Sequence, residues 1–447
     1  MARVIEPFQS FVSSQTGSGW LLLAATGLAI FIANSPWAEH YDELRHVQIG
    51  AMLDEGILSL SLQHWVNDGL MALFFFLLGL ELKREFLVGR LSSPRQAASV
   101  VTAAIGGMAL PALLFLLVAE DTEVRRAWGI PMATDTAFAL MILVFLRDRV
   151  PLAARAFLVG LAIIDDLGAI LVIALVYSGD LDPTRLPLVL ASFAMLVLLN
   201  LGGVRRSWPY LALGLVLWAG FMDLGLHGTL AGVVVALLAP VKPAVSREHF
   251  QKVIRRRLSG FRKKHDPDAA SILEAPDQHD AAEDVLEVAK DATVPLKRWE
   301  RQLEGPVSYA VVPLFAFFNA GVSLDPSAVA LAWQSELSLA IGLGLLAGKP
   351  LGILVGVGLG RVTGLARPPD GLNGRHLAGL GLLGGIGFTM SLFISALSFG
   401  DGTMLEIAKQ AVIATSLLAG MTGYVVLRIA PAANDGDTAR GESTGAK

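Results

Sequence analysis

Two aspartates stand side by side in the stretch AIIDDLGAI, Asp165 and Asp166, inside an apolar run from Leu158 to Tyr177. Carboxylates at the depth of a lipid bilayer are costly unless they bind something or face a cavity, so this pair reads first as a coupled-ion site. Further polar groups occupy other apolar intervals: Thr134 and Asp135 in WGIPMATDTAFAL, and Lys349 in GLLAGKPLGILVG. An ammonium that deep must find an anion or give up its proton, and Asp165 and Asp166 are the obvious partners. Three carboxylates and one ammonium make an inventory able to exchange a cation for protons.

The elements that carry these residues follow from composition. Of 447 residues, 54% are hydrophobic and 17% charged, and the mean hydropathy is +0.59. Apolar stretches of about 17 to 25 residues recur from near Gly19 to Leu427, each long enough to cross a roughly 30 Å hydrocarbon core. The fold class expected is all-α and polytopic. Twelve spans fit, near 17–34, 64–88, 97–118, 126–146, 151–176, 186–201, 208–222, 227–240, 306–322, 335–360, 376–399 and 407–430. The segment before Trp20 lacks the basic region, apolar run and cleavage site of a signal peptide, so the first stretch reads as a retained span. Zero cysteines exclude a disulfide framework and thiolate metal sites. Nothing supports nucleic-acid binding or a cofactor, and neither HExxH nor GxSxG occurs, so hydrolase chemistry has no nucleophile or metal motif to rest on.

Two spans read as interrupted. In the fourth, Pro131 removes a backbone donor and disfavours helical geometry at Ile130, just before Thr134 and Asp135. In the eleventh, LLGGIGFTMSLFI places Gly384, Gly385 and Gly387 in mid-span. Broken helices are tolerated in hydrocarbon only where protein or a water-filled cavity covers them, and a pair of them in the two halves of a chain marks a binding site. If they cross, helix ends of like sign meet, and Asp135 and Lys349 supply opposite charges to compensate them.

Lys and Arg concentrate in alternate connections, for example Lys83, Arg84, Arg90 and Arg95 after span two, Arg147, Arg149 and Arg155 around the end of span four, and Arg205 and Arg206 after span six. By the positive-inside rule those connections, and both termini, are cytoplasmic. Residues 47–63 alternate partly about AspGluGly and suit a small hairpin on the outer face. Residues 242–304 form a charged cytoplasmic loop inserted between spans eight and nine, basic first and acidic after, whose basic half suits anionic lipid headgroups. Residues 431–447 form a polar cytoplasmic tail after a transporter domain of 1–430.

The combination TDTAFAL, AIIDDLGAI, HGTLAG, PLFAFFNAGV, GKPLGI and GGIGFTMSLFI resembles the NhaA-type sodium/proton antiporters of bacterial inner membranes, over nearly the whole chain from Phe8 to about Arg428. The resemblance implies twelve transmembrane helices built as inverted repeats, with two discontinuous helices crossing near paired aspartates. By motif, Asp165 and Asp166 match the ion- and proton-binding pair that ligates the transported Na+, Lys349 the lysine that pairs with the first of them, and Asp135 with Thr134 the polar pair at the crossing. Glu81 and Glu85 in GLELKRE, with Glu300, match acids of the pH response, and His227 matches a histidine on the periplasmic side. Arg301 and Glu304 depart from the pattern, standing where the best-known members carry histidines, and the 242–304 insertion is unusually long. A homodimer joined through the 47–63 hairpin is implied as well.

The residues and the resemblance meet in one expected activity. Sodium is a hard cation that takes oxygen ligands, two carboxylates with Thr134 or backbone carbonyls supply them, and a protonated carboxyl binds it poorly, so cation and protons compete. Alternating access turns that competition into electrogenic antiport of Na+ or Li+ against H+, serving sodium and pH homeostasis, by a secondary transporter rather than an enzyme. The alternative is a sodium-coupled symporter of an organic solute, which also uses broken helices. Against it, the apolar intervals hold no arginine or aromatic cluster that would mark an organic-anion pocket.

Overall fold

The computed structural model describes residues 2–53, 56–146, 149–179, 181–246, 248, 250–256, 276–366 and 372–431. The expected hairpin tip at Asp54 and Glu55, Arg147, most of the basic part of the 242–304 segment and the tail beyond residue 431 lie outside the described residues. Described secondary structure is helical apart from one antiparallel hairpin, Gln48–Leu53 with Gly56–Ser61, in the register Gln48↔Ser61 to Leu53↔Gly56. The expectation of a hairpin within 47–63 is therefore met in the backbone.

Among the described residues, seven helices are long and apolar enough to cross a membrane: Leu62–Val88, Ala97–Val118, Ala153–Val176, Pro183–Leu201, Ser207–Leu224, Glu336–Val362 and Thr403–Ile429. Three further helix pairs are bent at short breaks. Gly17–Ala33 with Ala38–His46 turns by 114°, Thr122–Met132 with Thr136–Phe145 by 43°, and Gly374–Gly384 with Phe388–Phe399 by 45°. The last two are the spans in which Pro131 and the Gly384–Gly387 cluster signalled interruption. Their halves cannot join because no i→i−4 ladder runs through Ala133–Asp135 or through Gly385–Gly387.

The chain divides into two compact units. One comprises Met1–Phe74, Glu85–Asp180 and Gly305–Lys447, and the other Phe75–Arg84 and Leu181–Glu304. The second unit is packed around aromatic side chains. Trp299 lies 6.4 Å from Phe76 and 5.3 Å from Tyr210, ring centre to ring centre, and Lys83 Nζ donates to the carbonyls of Leu237 and Ala239 at 2.6 and 2.7 Å. That ammonium satisfies the end of the short helix Thr229–Leu237, where carbonyls lack intrahelical partners and carry partial negative charge.

The first unit is assembled along a stripe of small residues. Gly344, Gly348, Gly352, Gly356 and Gly360 recur every four residues in helix Glu336–Val362, so all five fall on one slowly rotating face. That face lies backbone to backbone against helix Pro94–Val118. A Cβ added at Gly356 would stand 3.0 Å from Ala103 Cα, and one at Gly348 2.7 Å from Pro111 Cα. Small residues permit this approach in lipid, where van der Waals packing rather than the hydrophobic effect holds helices together. Lys349 follows Gly348 directly, after a π-helical turn over Gly344–Gly348, so the stripe sets the depth and direction of the lysine.

Gly352→Leu should therefore be far costlier than the about 1–3 kcal/mol typical of overpacking, because the added atoms meet main chain rather than flexible side chain. Gly358→Leu, on the same helix with open space around its Cα, should be neutral. Thermal midpoints of the two variants in detergent decide this, and equal midpoints would refute the packing argument.

Candidate functional site

The site is built where the two interrupted spans meet. Asp135 is the N-cap of the half-helix Thr136–Phe145, accepting from Phe138 N–H at 3.1 Å. Its other oxygen accepts from Thr389 N–H at 3.1 Å and Thr389 Oγ1–H at 2.6 Å, in the first turn of the opposing half-helix Phe388–Phe399. One carboxylate thus serves two helix N-termini, each carrying partial positive charge. Backbone joins the breaks directly, since Asp135 N–H donates to Ile386 O at 2.6 Å. Phe138 and Phe388 close the junction edge to face at 5.0 Å.

The opposite helix ends are tied in a reciprocal way. Thr134 Oγ1, from the first break, lies 2.8 Å from Gly384 O at the end of half-helix Gly374–Gly384, and Ser391 Oγ, from the second, donates to Ile130 O at 2.7 Å. Each interrupted span thereby supplies a hydroxyl to carbonyls that the other leaves without an i→i+4 partner, as buried backbone requires. Lys349 Nζ adds a third donor, directed at Met132 O. The ammonium stands at the negative end of one break and the Asp135 carboxylate between the positive ends of both.

Asp165 and Asp166 come from helix Leu152–Val176. Asp165 Oδ2 is 2.7 Å from Lys349 Nζ, with both side chains 0% exposed, and 2.8 Å from Thr134 Oγ1. Asp165 Oδ1 is buried with no hydrogen-bond partner, an oxygen with lone pairs to offer. Asp166, the next residue, is buried as well. Thr134 has one hydroxyl proton and two acceptors at the same distance, so it serves Asp165 or Gly384 O, one at a time. Deleting one member of such a pair leaves an uncompensated buried charge, typically at a cost of about 3–5 kcal/mol.

Of the residues singled out from the sequence, Thr134, Asp135, Asp165, Asp166 and Lys349 all belong to the first unit, and two of the interactions just described, Asp165 with Lys349 and Asp165 with Thr134, bring Thr134, Asp165 and Lys349 into contact. Glu85 lies in that unit too, whereas Glu81, Glu300 and His227 fall in the second. Glu300 pairs with Arg84, Nε to Oε1 at 2.9 Å. Burial pushes the Glu300 carboxyl above its ordinary range, Arg84 opposes the rise, Glu304 adds to it and Lys297 pulls it down. His227 precedes helix Thr229–Leu237, its carbonyl accepting from Leu230 N–H at 3.1 Å. Sequence reasoning passed over Thr389, Ser391 and Arg84 as named partners. The two hydroxyls lie within the flagged stretch GGIGFTMSLFI, but hydroxyl residues are common in membrane helices and only the crossing distinguishes these. Among the described residues, no three His, Asp or Glu side chains converge as a resident metal site.

A family model described as Na+/H+ antiporter 1 matches residues 9–427. The Na(+)/H(+) antiporter NhaA of Oleidesulfovibrio alaskensis is 43% identical over 427 residues, covering 96% of this chain and 94% of that relative. NhaA 1 of Saccharophagus degradans is 41% identical over 426 residues, covering 95% and 92%. NhaA of Wolinella succinogenes is 40% identical over 420 residues, covering 94% and 92%.

Proposed function

Because the chain belongs to the Na+/H+ antiporter 1 family, we propose that it exchanges cytoplasmic Na+ or Li+ for external protons in a bacterial inner membrane. It is a multi-pass secondary transporter and not an enzyme, and its ions are cargo rather than cofactors. The observation that carries this reading is the Lys349–Asp165–Thr134 cluster, wholly buried beside the crossing of two broken spans, with one Asp165 oxygen left unpartnered. A symporter for an organic solute would need a pocket for that solute, and these groups are engaged with one another and with helix ends.

The proposed mechanism follows from the competing partners. With Asp165 ionised, Lys349 and Thr134 serve its Oδ2, and Oδ1 faces an incoming cation. Na+ recruits oxygens from Asp165, Asp166 and Thr134, and weakens the hold of Asp165 on the Lys349 ammonium. Protonation reverses this, since a carboxylic acid is a poor ligand for a hard cation. With Asp165 protonated, the Thr134 hydroxyl turns to Gly384 O and re-ties the break. Loss of two protons for one Na+, from the Asp165–Asp166 carboxyl pair or from one carboxyl and Lys349, changes the site by one charge, so membrane potential drives the exchange at about 2.3 kcal/mol per charge per 100 mV.

Twelve spans are the reading that best accommodates the helices. Seven long helices and three bent pairs leave Thr229–Leu237 and the run Val307–Asn319 for the eighth and ninth spans, both short and the second entered through a π-helical turn. With Lys and Arg enriched in alternate connections, both termini are assigned to the cytoplasm. The 1–430 transporter domain, the charged 242–304 insertion and the terminal tail are kept in that scheme, with anionic lipid as the partner of the insertion's basic half. Glu81, Glu85, Glu300 and His227 are assigned to the response to pH, Glu300 through Arg84.

Asp165→Asn and Asp166→Asn are each expected to abolish Na+-dependent proton movement in everted vesicles while the protein still inserts, and wild-type exchange should respond to an imposed potential. Antiport at wild-type rate and affinity in either variant would sink the site assignment. Glu300 tests the pH response with a definite sign. Its raised proton affinity keeps it neutral on the acid side, and its charge, with the ionic pairing to Arg84, develops only above the ordinary carboxylate range. Glu300→Gln imitates the neutral form, so its activity profile should coincide with wild type at acid pH and depart from it on the alkaline side by more than about half a unit. Superimposable profiles throughout would make Glu300 a structural anchor. The homodimer is assigned to the hairpin because its strand edges offer unpaired backbone groups across a two-fold axis. Deleting residues 47–63 should yield monomers in detergent with transport largely kept, and an unchanged dimer fraction would refute that contact.

A further inference from the structure

We infer that Ser416 is a positioning residue of the ion site, holding the first turn of half-helix Phe388–Phe399 in register with Asp135. This rests on the reading of the crossing as the site of ion exchange. Ser416 belongs to helix Thr403–Ile429, which holds none of the ionisable residues assigned to exchange. Its hydroxyl accepts from Phe388 N–H at 3.1 Å, and both groups are buried. Phe388 and Thr389 are the first two residues of that half-helix, and their N–H groups have no intrahelical acceptor. The first is taken by Ser416 and the second by Asp135. A neutral acceptor and a charged one therefore share the positive end of one helix.

The packing of the helix explains why the hydroxyl arrives there. Ser416, Gly420 and Gly423 recur at spacings of four and three on one face. A Cβ at Gly420 would stand 3.0 Å from Ile142 Cδ1 and 3.5 Å from Ile386 Cδ1, one residue from each interrupted span, and one at Gly423 would meet Leu383 Cδ2 at 2.8 Å. The same face thus seats both broken spans, and Ser416 adds a directional bond to a contact that is otherwise steric. Without the hydroxyl, Phe388 N–H is left buried and unmet. The turn can then recover an acceptor only by moving toward Asp135, which already serves Phe138 N–H and both Thr389 donors. Ile386 O, held by Asp135 N–H, and Gly384 O, faced by Thr134, lie on the segment that would move. Disturbing them alters the Thr134–Asp165 contact, and with it the affinity for the cation.

The test compares Ser416→Ala and Ser416→Cys, which lose a good acceptor, with Ser416→Thr, which keeps it. Thr422→Ala is the control, removing a hydroxyl bonded within the same helix, to Leu418 O. Na+-driven exchange in everted vesicles gives KM and maximal rate, and the rise in thermal midpoint with added Na+ in detergent gives binding apart from turnover. Ser416→Ala should raise the Na+ KM about tenfold, the scale of one net hydrogen bond, with maximal rate nearly kept and Na+ stabilisation moved to higher concentration. Ser416→Thr and Thr422→Ala should stay near wild type. Should the alanine variant not accumulate, Ser416→Cys decides, with the same direction expected. An unchanged KM and unchanged Na+ stabilisation in the acceptor-less variant would overturn the proposal, as would equal losses in Ser416→Thr. The site reading itself stands or falls separately, on Asp165→Asn and Asp166→Asn.

Discussion

The structure depends on one buried charge pair. Lys349 and Asp165 meet at 2.7 Å with no exposure to solvent, and either charge without the other would be costly at that depth. Lys349 also donates to Met132 O, and Asp165 also accepts from Thr134. Each ion is therefore tied to the broken backbone as well as to its partner. A site held this way is sensitive to any competitor for Asp165, and both a cation and a proton are such competitors.

Interrupting two helices in a membrane exposes backbone donors and acceptors that water would otherwise satisfy. The chain meets this demand reciprocally. Thr134 serves the second break and Ser391 the first, Asp135 serves the N-termini of both, and backbone bonds backbone at Asp135 N–H to Ile386 O. Such a junction has few spare partners. A change at one group must be compensated at another, which gives protonation of a single carboxylate a route to the backbone of either span.

Around the junction, small residues do the positioning. The glycine stripe of helix Glu336–Val362 lets it lie against the backbone of Pro94–Val118 and delivers Lys349, and the Gly420–Gly423 face of helix Thr403–Ile429 seats both broken spans. In the second unit Trp299, on the helix that carries Glu300, packs against Phe76 and Tyr210. That packing accounts for the buried setting in which Glu300 meets Arg84 and holds its proton more tightly than an exposed glutamate would.

The amino-acid sequence alone determined the membrane class, the position of most spans, both interruptions and the identity of the ionisable groups. These properties are local: apolar length reports a crossing, Pro131 and the Gly384–Gly387 cluster report a missing ladder, and an aspartate within an apolar run is conspicuous wherever it points. The tertiary structure decided which groups meet. Helix ends are not sharply set by apolar length, so the bend of the first span near Ala33 and the brevity of Thr229–Leu237 emerge only in three dimensions. A hydroxyl costs little in a membrane helix because it can bond its own preceding turn, and so Thr389, Ser391 and Ser416 do not stand out among the other serines and threonines of the chain. Their roles depend on carbonyls and amides that only the crossing of two distant segments leaves unpaired. The choice of Arg84 as the partner of Glu300, among several nearby bases in the sequence, is likewise a matter of packing that no spacing rule contains.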